Sequence, residues 1–467
     1  MTSTSHSIAD SPAMVTHRSA PVTLTAVRIP LPPGAPIDPF ALCGPSGILV
    51  AEAGNVLVGL GVALVLALPH GLTEPRAIDA VSDALATIRC DDRLTPVLEA
   101  SCTSGVIAFG ALPFDRRSAA SMIVPGILYC REPDGSEWVT IVGNVPIGQP
   151  DPDDPTSGSA IRDYLVGLVG VAPTGDPSPT HVRIEPRSSD SEFRQTVASG
   201  VEAIRAGDIE KVVLARAVDV HLLHEIDRAA LLRRWAASEP SCSVFSVPTT
   251  AGHFLGASPE LLVARTGNQL RSRPLAGTTD RFPDPTSTLP AALLDSAKDG
   301  DEHRLVVEAI RDAVTPISVD LTVPDCPELV HLNAITHLGT TIEGTLRPLA
   351  DGRVPSVLHL VALLHPTPAV GGIPRHVALD LIDQLETTPR GTYAGPVGYM
   401  DASGDGRWMV GIRAMTVSGT TARLTAGVGV VAGSSPDTEL REVSLKLSTV
   451  FDALAPGVTF STAATTD

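Results

Sequence analysis

Ser296-Ala297-Lys298-Asp299-Gly300-Asp301-Glu302-His303 and, far downstream, Glu439-Leu440-Arg441-Glu442 each set two carboxylates three residues apart on a segment that reads as a helix. Residues at that spacing share a helical face, so Asp299 goes with Glu302 and Glu439 with Glu442. If the fold brings the two faces together, four carboxylates converge with Lys298 and Lys446 beside them. That much like charge is tolerable only around a cation. A hard, oxygen-only ligand set favours magnesium, which takes one or two protein carboxylates, keeps several waters and leaves room for an anionic substrate.

Composition narrows the setting. The 467 residues suffice for two or three ordinary domains or one large one, and length alone does not choose. Apolar residues make up 43% of the chain but aromatics only 3%, so the core must be packed from small and branched aliphatics. A net charge of -18 without a basic block argues against nucleic acid or an anionic membrane as partner. The cysteines, at 43, 90, 102, 130, 242 and 326, are scattered and form no C-x-x-C, which reads as free thiols in a reducing compartment. Residues 1–21 are polar, lack the apolar core of a signal peptide and are expected to be a disordered tail. The apolar run Val56 to Leu68 is too short to span a membrane and is interrupted by Gly59 and Gly61, so it reads as one or two buried strands. The expected location is the cytoplasm.

From Ala26 to Gly143 short apolar stretches alternate with Gly, Pro and Asp clusters, which suggests strands with an occasional helix such as Arg76 to Ile88. The stretch from Gly148 to Pro186 reads as a surface connection with a short helical patch near Ile161 to Val166. Beyond it the periodicity predicts a helix from Ser191 to Ala206 closed by Gly207, then a strand from Lys211 to Val220. A long helix is predicted over Ala291 to Val314 and a hairpin over Gly395 to Met400 and Arg407 to Val417. A strand from Arg423 to Ala432 then leads into a final helix from Thr438 to about Leu454.

Several single residues carry chemistry if the fold encloses them. Lys211 is either a solvent-facing strand end or, in a pocket that favours the neutral amine, a base. Glu260, after Ser258-Pro259, is either a turn carboxylate in water or an enclosed acid able to hold a proton for a leaving group. His303 and His337 are not spaced as zinc ligands. The glycines of Ala426-Gly427-Val428-Gly429 lie in a continuing strand and meet neither the dinucleotide fingerprint nor the P-loop; they suit close backbone approach to a small anion or a tight strand crossing equally well. Arg413, on the strand before them, could form the bidentate contact with a carboxylate that such a site needs.

Together these segments resemble the chorismate-utilising enzyme family, whose members make isochorismate, salicylate, anthranilate or aminodeoxychorismate. The resemblance covers about 191 to 454. It rests on Lys-Val-Val-Leu-Ala-Arg (211 to 216), Gly-Ala-Ser-Pro-Glu (256 to 260), Leu-Ala-Gly-Thr (275 to 278) and the acidic stretch 296 to 303. It continues through His-Leu-Gly-Thr-Thr-Ile-Glu-Gly (337 to 344), Leu-His-Pro-Thr-Pro-Ala-Val-Gly-Gly (364 to 372), Arg-Gly-Thr-Tyr-Ala-Gly-Pro-Val-Gly (390 to 398) and Ala-Gly-Val-Gly-Val-Val-Ala-Gly-Ser (426 to 434). The resemblance implies one large α/β (α+β) fold of mixed, mainly antiparallel sheets packed together with helices outside. Residues 22–190 would be its variable half, 191–456 its catalytic half and 457–467 a C-terminal tail.

The family also implies Mg2+ at Glu302 and Glu442, with Asp299 and Glu439 nearby or joined through water. Gly277, Thr278, Tyr393, Arg413, Gly427, Gly429 and Lys446 match positions that hold the substrate, and His337 one near its ring. With Lys211 present and Ala276 where the aminodeoxychorismate branch has a lysine, water is the expected nucleophile and no amidotransferase subunit is expected. Ala369 matches a position where isochorismate synthases tend to have alanine and salicylate synthases threonine. The resemblance therefore implies isochorismate formation from chorismate, with Lys211 as base and Glu260 as acid; a monomer is expected because the sequence shows no coiled coil or obvious interface segment. Its departures from the family pattern, Val443 for threonine and Tyr399 for tryptophan, remove no proposed ligand.

Overall fold

Along Ile48–Glu52 the side chains serve two cores in turn: Ile48 and Val50 join one buried cluster, Leu49 and Ala51 another. A strand buried on both faces has no polar face to show, which is why this stretch and Val56 to Leu60 read as unbroken apolar runs. The computed structural model describes residues 24–91, 105–143, 156–169, 182–280, 293–333 and 335–461. The N-terminal tail, Cys102, much of the 148–181 connection and the C-terminal tail beyond 461 lie outside the described residues.

Among the described residues the strands form a thirteen-stranded, a nine-stranded and a three-stranded sheet. Pairing is antiparallel apart from Thr25–Pro30 beside Arg89–Asp91. The two large sheets pack face to face through Ile48, Val50, Phe109, Trp138, Phe245, Phe254, Tyr399 and Met409, while helices cover the other core. Strands from the two halves of the sequence are interleaved. In the larger sheet Ile48–Glu52 pairs with Ser243–Thr249, and in the second Ile107–Ala111 pairs with Pro396–Asp401. The apolar run 56 to 68 divides into Asn55–Leu60 in the first sheet and Leu64–Leu68 in the second, turning at Gly61 with φ +64. No described helix is long and apolar enough to cross a membrane.

Most predicted elements stand where the periodicity puts them. The helix Asp190–Ala206 begins at a Ser189/Glu192 capping box and ends at left-handed Gly207. The strand Lys211–Leu222 follows, and the last helix is Pro436–Leu454. The connection after residue 148 contains a helix, Ser157–Val169, longer than the predicted patch.

Two expectations need correction. The helix predicted from Ala291 begins at Ala297, because Ser296 caps it by accepting the Asp299 backbone N–H and donating to the Asp299 carboxylate at 2.5 Å. The strand predicted over Arg407 to Val417 is two strands in two sheets, Gly406–Val410 in the second and Ala414–Ser418 in the first. The chain crosses at 411–413, where a Cβ on Gly411 would lie 2.7 Å from the Phe254 ring and Arg413 takes φ +52. Hydrophobic pattern cannot reveal this break, since both pieces are buried strands.

Candidate active site

The strand Lys211–Leu222 runs antiparallel to Thr421–Val430, with Val213 opposite Gly429 and Ala215 opposite Gly427. The helix Pro436–Leu454 packs on Thr421–Val430, and the helix Ala297–Val314 packs on Leu275–Asp280. The start of the Ala297–Val314 helix and the middle of the Pro436–Leu454 helix thus face one cavity, lined by Glu260, Gly277, Thr278, Asp299, Glu302, His337, Ala369, Tyr393, Arg413, Gly427, Gly429, Glu442 and Lys446. Residues more than two hundred positions apart in sequence meet here.

Two predicted residues are not on the cavity wall. Lys211 is wholly buried behind Glu302, its Nζ 3.0 Å from Glu302 Oε1, and Glu439 is 1% exposed. Both are one side chain removed from the cavity. Burial opposes ionisation of Glu302, but the charges of Lys211, Lys446 and Lys298 outweigh it and hold the carboxyl below its usual range.

Glu260 lines the cavity and is almost wholly enclosed, so the turn carboxylate is not in water. Burial drives its pKa up to about 8, opposed by the Leu275 backbone N–H and by the charges of Lys211, Arg413 and Lys446. At neutral pH it keeps its proton. His337 is fixed in one tautomer: Nδ1 lies 2.9 Å from the Gly277 carbonyl oxygen, an acceptor only, so Nδ1 carries the proton. Its Nε2 then accepts from Arg413 Nη2 at 3.1 Å. Burial, then Arg413 and Lys446, push its pKa down to about 3, so His337 is a neutral prop for the guanidinium. His303 is buried against Thr340 at 2.7 Å and belongs to the packing of its helix.

Anion-binding groups gather on the same wall. Arg413, Lys446 and Tyr393 surround Gly427, whose carbonyl accepts from Lys446 Nζ at 3.1 Å. A Cβ on Gly427 would sit 3.1 Å from the Tyr393 hydroxyl, and one on Gly429 2.6 Å from Glu302 Oε1 and 3.2 Å from Lys211 Cε. Both glycines answer to close approach, with the strand crossing contributing at the same place.

The acidic cluster suits a dication. Both Glu439 oxygens are buried without a hydrogen-bond partner, and burial followed by the Glu442 charge raises its pKa. The other carboxylates lean on Lys211, Lys446 and Ser296. Among the described residues no three His, Cys, Asp or Glu side chains gather into a metal cage by themselves. Magnesium, satisfied by one or two carboxylates with water and substrate oxygens, asks for no such cage.

Some contributors escaped the sequence reading. Ile412, Val213, Thr425 and Val450 complete the wall. Behind it, buried Arg390 binds the carbonyls of Val213 and Val370 and pairs with Glu386, which accepts the Ala215 N–H. Arg390 lay inside a quoted motif, but nothing in sequence marked Glu386 as its partner.

A cavity that gathers an enclosed carboxyl, several cations and nearby carboxylates is chemically suited to act on a small anion. Residues 52–455 match the model of the chorismate binding enzymes, and the chain belongs to that family. The vibriobactin-specific isochorismate synthase of Vibrio cholerae is 37% identical over 87% of this chain and 91% of its own. Isochorismate synthase DhbC of Bacillus subtilis is 31% identical over 88% and 94%. The menaquinone-specific isochorismate synthase MenF of Escherichia coli shares the fold, with a TM-score of 0.75 at 24% identity over 92% of this chain and 94% of that one.

Proposed function

We propose that this chain is a magnesium-dependent isochorismate synthase, an isomerase that converts chorismate to isochorismate. The observation that carries the reading is Glu260, a carboxyl almost wholly enclosed, its pKa pushed up by burial, and facing the same cavity as Arg413 and Lys446. In this reaction Glu260 gives its proton to the departing C4 hydroxyl. A water freed of its proton by Lys211 adds at C2, and the ring double bond shifts. One water enters and one leaves, so the product is an isomer.

Arg413, braced by neutral His337, Lys446, Tyr393 and the Gly427 and Gly429 backbone hold the substrate's carboxylates, while Gly277, Thr278 and Ala369 shape the wall around its ring. Glu302 and Glu442 would hold Mg2+, with Asp299 and Glu439 nearby or joined through water. When bound, the metal would neutralise the ring carboxylate. Lys211 Nζ lies 3.0 Å from Glu302 Oε1, so the base and the metal-holding carboxylate are neighbours.

The same reading has the protein act in the cytoplasm as a monomer without an amidotransferase subunit. The scattered cysteines, with no C-x-x-C pair, support a reducing compartment. Incubation of the purified chain with chorismate and magnesium is the test: isochorismate without pyruvate is expected, and salicylate with pyruvate would make the chain a salicylate synthase instead. No turnover, with ligand still raising the melting temperature, would leave only a binding protein.

A further inference from the structure

Lys298 lies one residue before Asp299, lines the cavity and is about half exposed, with its side chain at 46%. The two neighbouring lysines each have a close partner: Lys211 sits 3.0 Å from Glu302, and Lys446 sits 2.7 Å from Glu442. Lys298 instead stands 3.5 Å from Glu439 Oε1, whose carboxylate is buried and makes no hydrogen bond. The carboxylates whose charge acts on it are Glu439, Glu442, Glu302 and Asp299. It is thus a half-exposed cation on the cavity wall beside the acidic residues, with one long contact to Glu439.

We propose that Lys298 is the internal counter-ion of the acidic cluster, and that a dication binds by exchange with it. This inference rests on the magnesium reading above. Without metal, the Lys298 ammonium offsets the charge of the carboxylates and covers Glu439. With metal, it gives up Glu439 and turns into the cavity mouth, which its long, half-exposed side chain permits. The exchange sets metal affinity lower than the carboxylates alone would give, since every binding event must displace a cation already present. Lys298 is therefore a positioning residue for the metal and takes no part in bond making.

Calorimetric titration of the substrate-free protein with magnesium chloride tests this without reference to turnover. Lys298→Gln should bind magnesium about tenfold more tightly or better, the size of an ordinary coupling between neighbouring sites. Lys298→Arg, which keeps the charge, should bind near the wild-type value. The metal-free melting temperature should fall in Lys298→Gln and recover on adding magnesium, whereas loss of packing alone would not recover. With Glu439→Gln as background, the effect of Lys298→Gln should shrink, as a coupled pair requires. Measurable wild-type binding with unchanged or weaker affinity in a folded Lys298→Gln overturns the exchange and leaves the metal site standing. If wild type and Glu442→Gln alike take up no magnesium, the metal site and the exchange fall together.

Discussion

Glu260 and Lys211 are charged-type residues that the fold almost completely dehydrates, and burial pushes the Glu260 carboxyl toward its neutral form. Lys211→Ala and Glu260→Gln should each lower kcat by about a hundredfold or more, measured as isochorismate formed from chorismate. Near-normal turnover in both would remove the assigned roles. As an acid, Glu260 works only while protonated, so wild-type kcat should fall as pH rises through about 8. A stability effect follows with a defined sign. The unfolded carboxyl loses its proton near 4.5 and the folded one near 8, so between these values the unfolded state binds fewer protons and stability declines as pH rises. Glu260→Gln escapes that decline. Its melting temperature relative to wild type should climb from pH 5 to pH 8, and a constant difference would show that the carboxyl is not protonated in the fold.

At the scale of elements, the site depends on how closely strand Thr421–Val430 passes Lys211–Leu222 and the Ala297–Val314 helix. A methyl group on Gly429 meets the far ends of the Glu302 and Lys211 side chains, which can move, so the cost falls on the site more than on the fold. Gly429→Ala should lose about 1 kcal/mol or less of stability but about a hundredfold in kcat, the penalty for misplacing a reacting group by roughly an ångström. Equal loss in a thermal melt and in turnover would argue for general damage. The Arg390–Glu386 pair shows the opposite balance. With side chains 3% and 6% exposed, it ties the start of the catalytic strand to the loop bearing Ala369 and Val370. Arg390→Met should cost about 3–5 kcal/mol in chemical denaturation, because it strands a buried carboxylate. A loss below about 1 kcal/mol would mean that the pair is a bystander.

Over the whole molecule, the two halves of the sequence share both large sheets, so neither half can bury its strands alone. A chain beginning at residue 191 should show no cooperative thermal transition by circular dichroism, and a sharp one would reveal an independent catalytic half. Much of this was legible beforehand. Period-3.6 stripes and caps located the helices Asp190–Ala206 and Pro436–Leu454, and the spacing of Asp299 and Glu302 announced the face that both present to the cavity, because such information is carried by neighbours in sequence. Other matters were closed to it. That Arg407 to Val417 divides between two sheets, that Lys211 stands behind Glu302, that His337 braces Arg413 and that Glu386 meets Arg390 depend on which buried strands lie side by side. Amino-acid order by itself determined which groups are available and which faces they share; tertiary structure alone decided which are stripped of water and which charges face one another, since desolvation and Coulomb energy depend on distance through space.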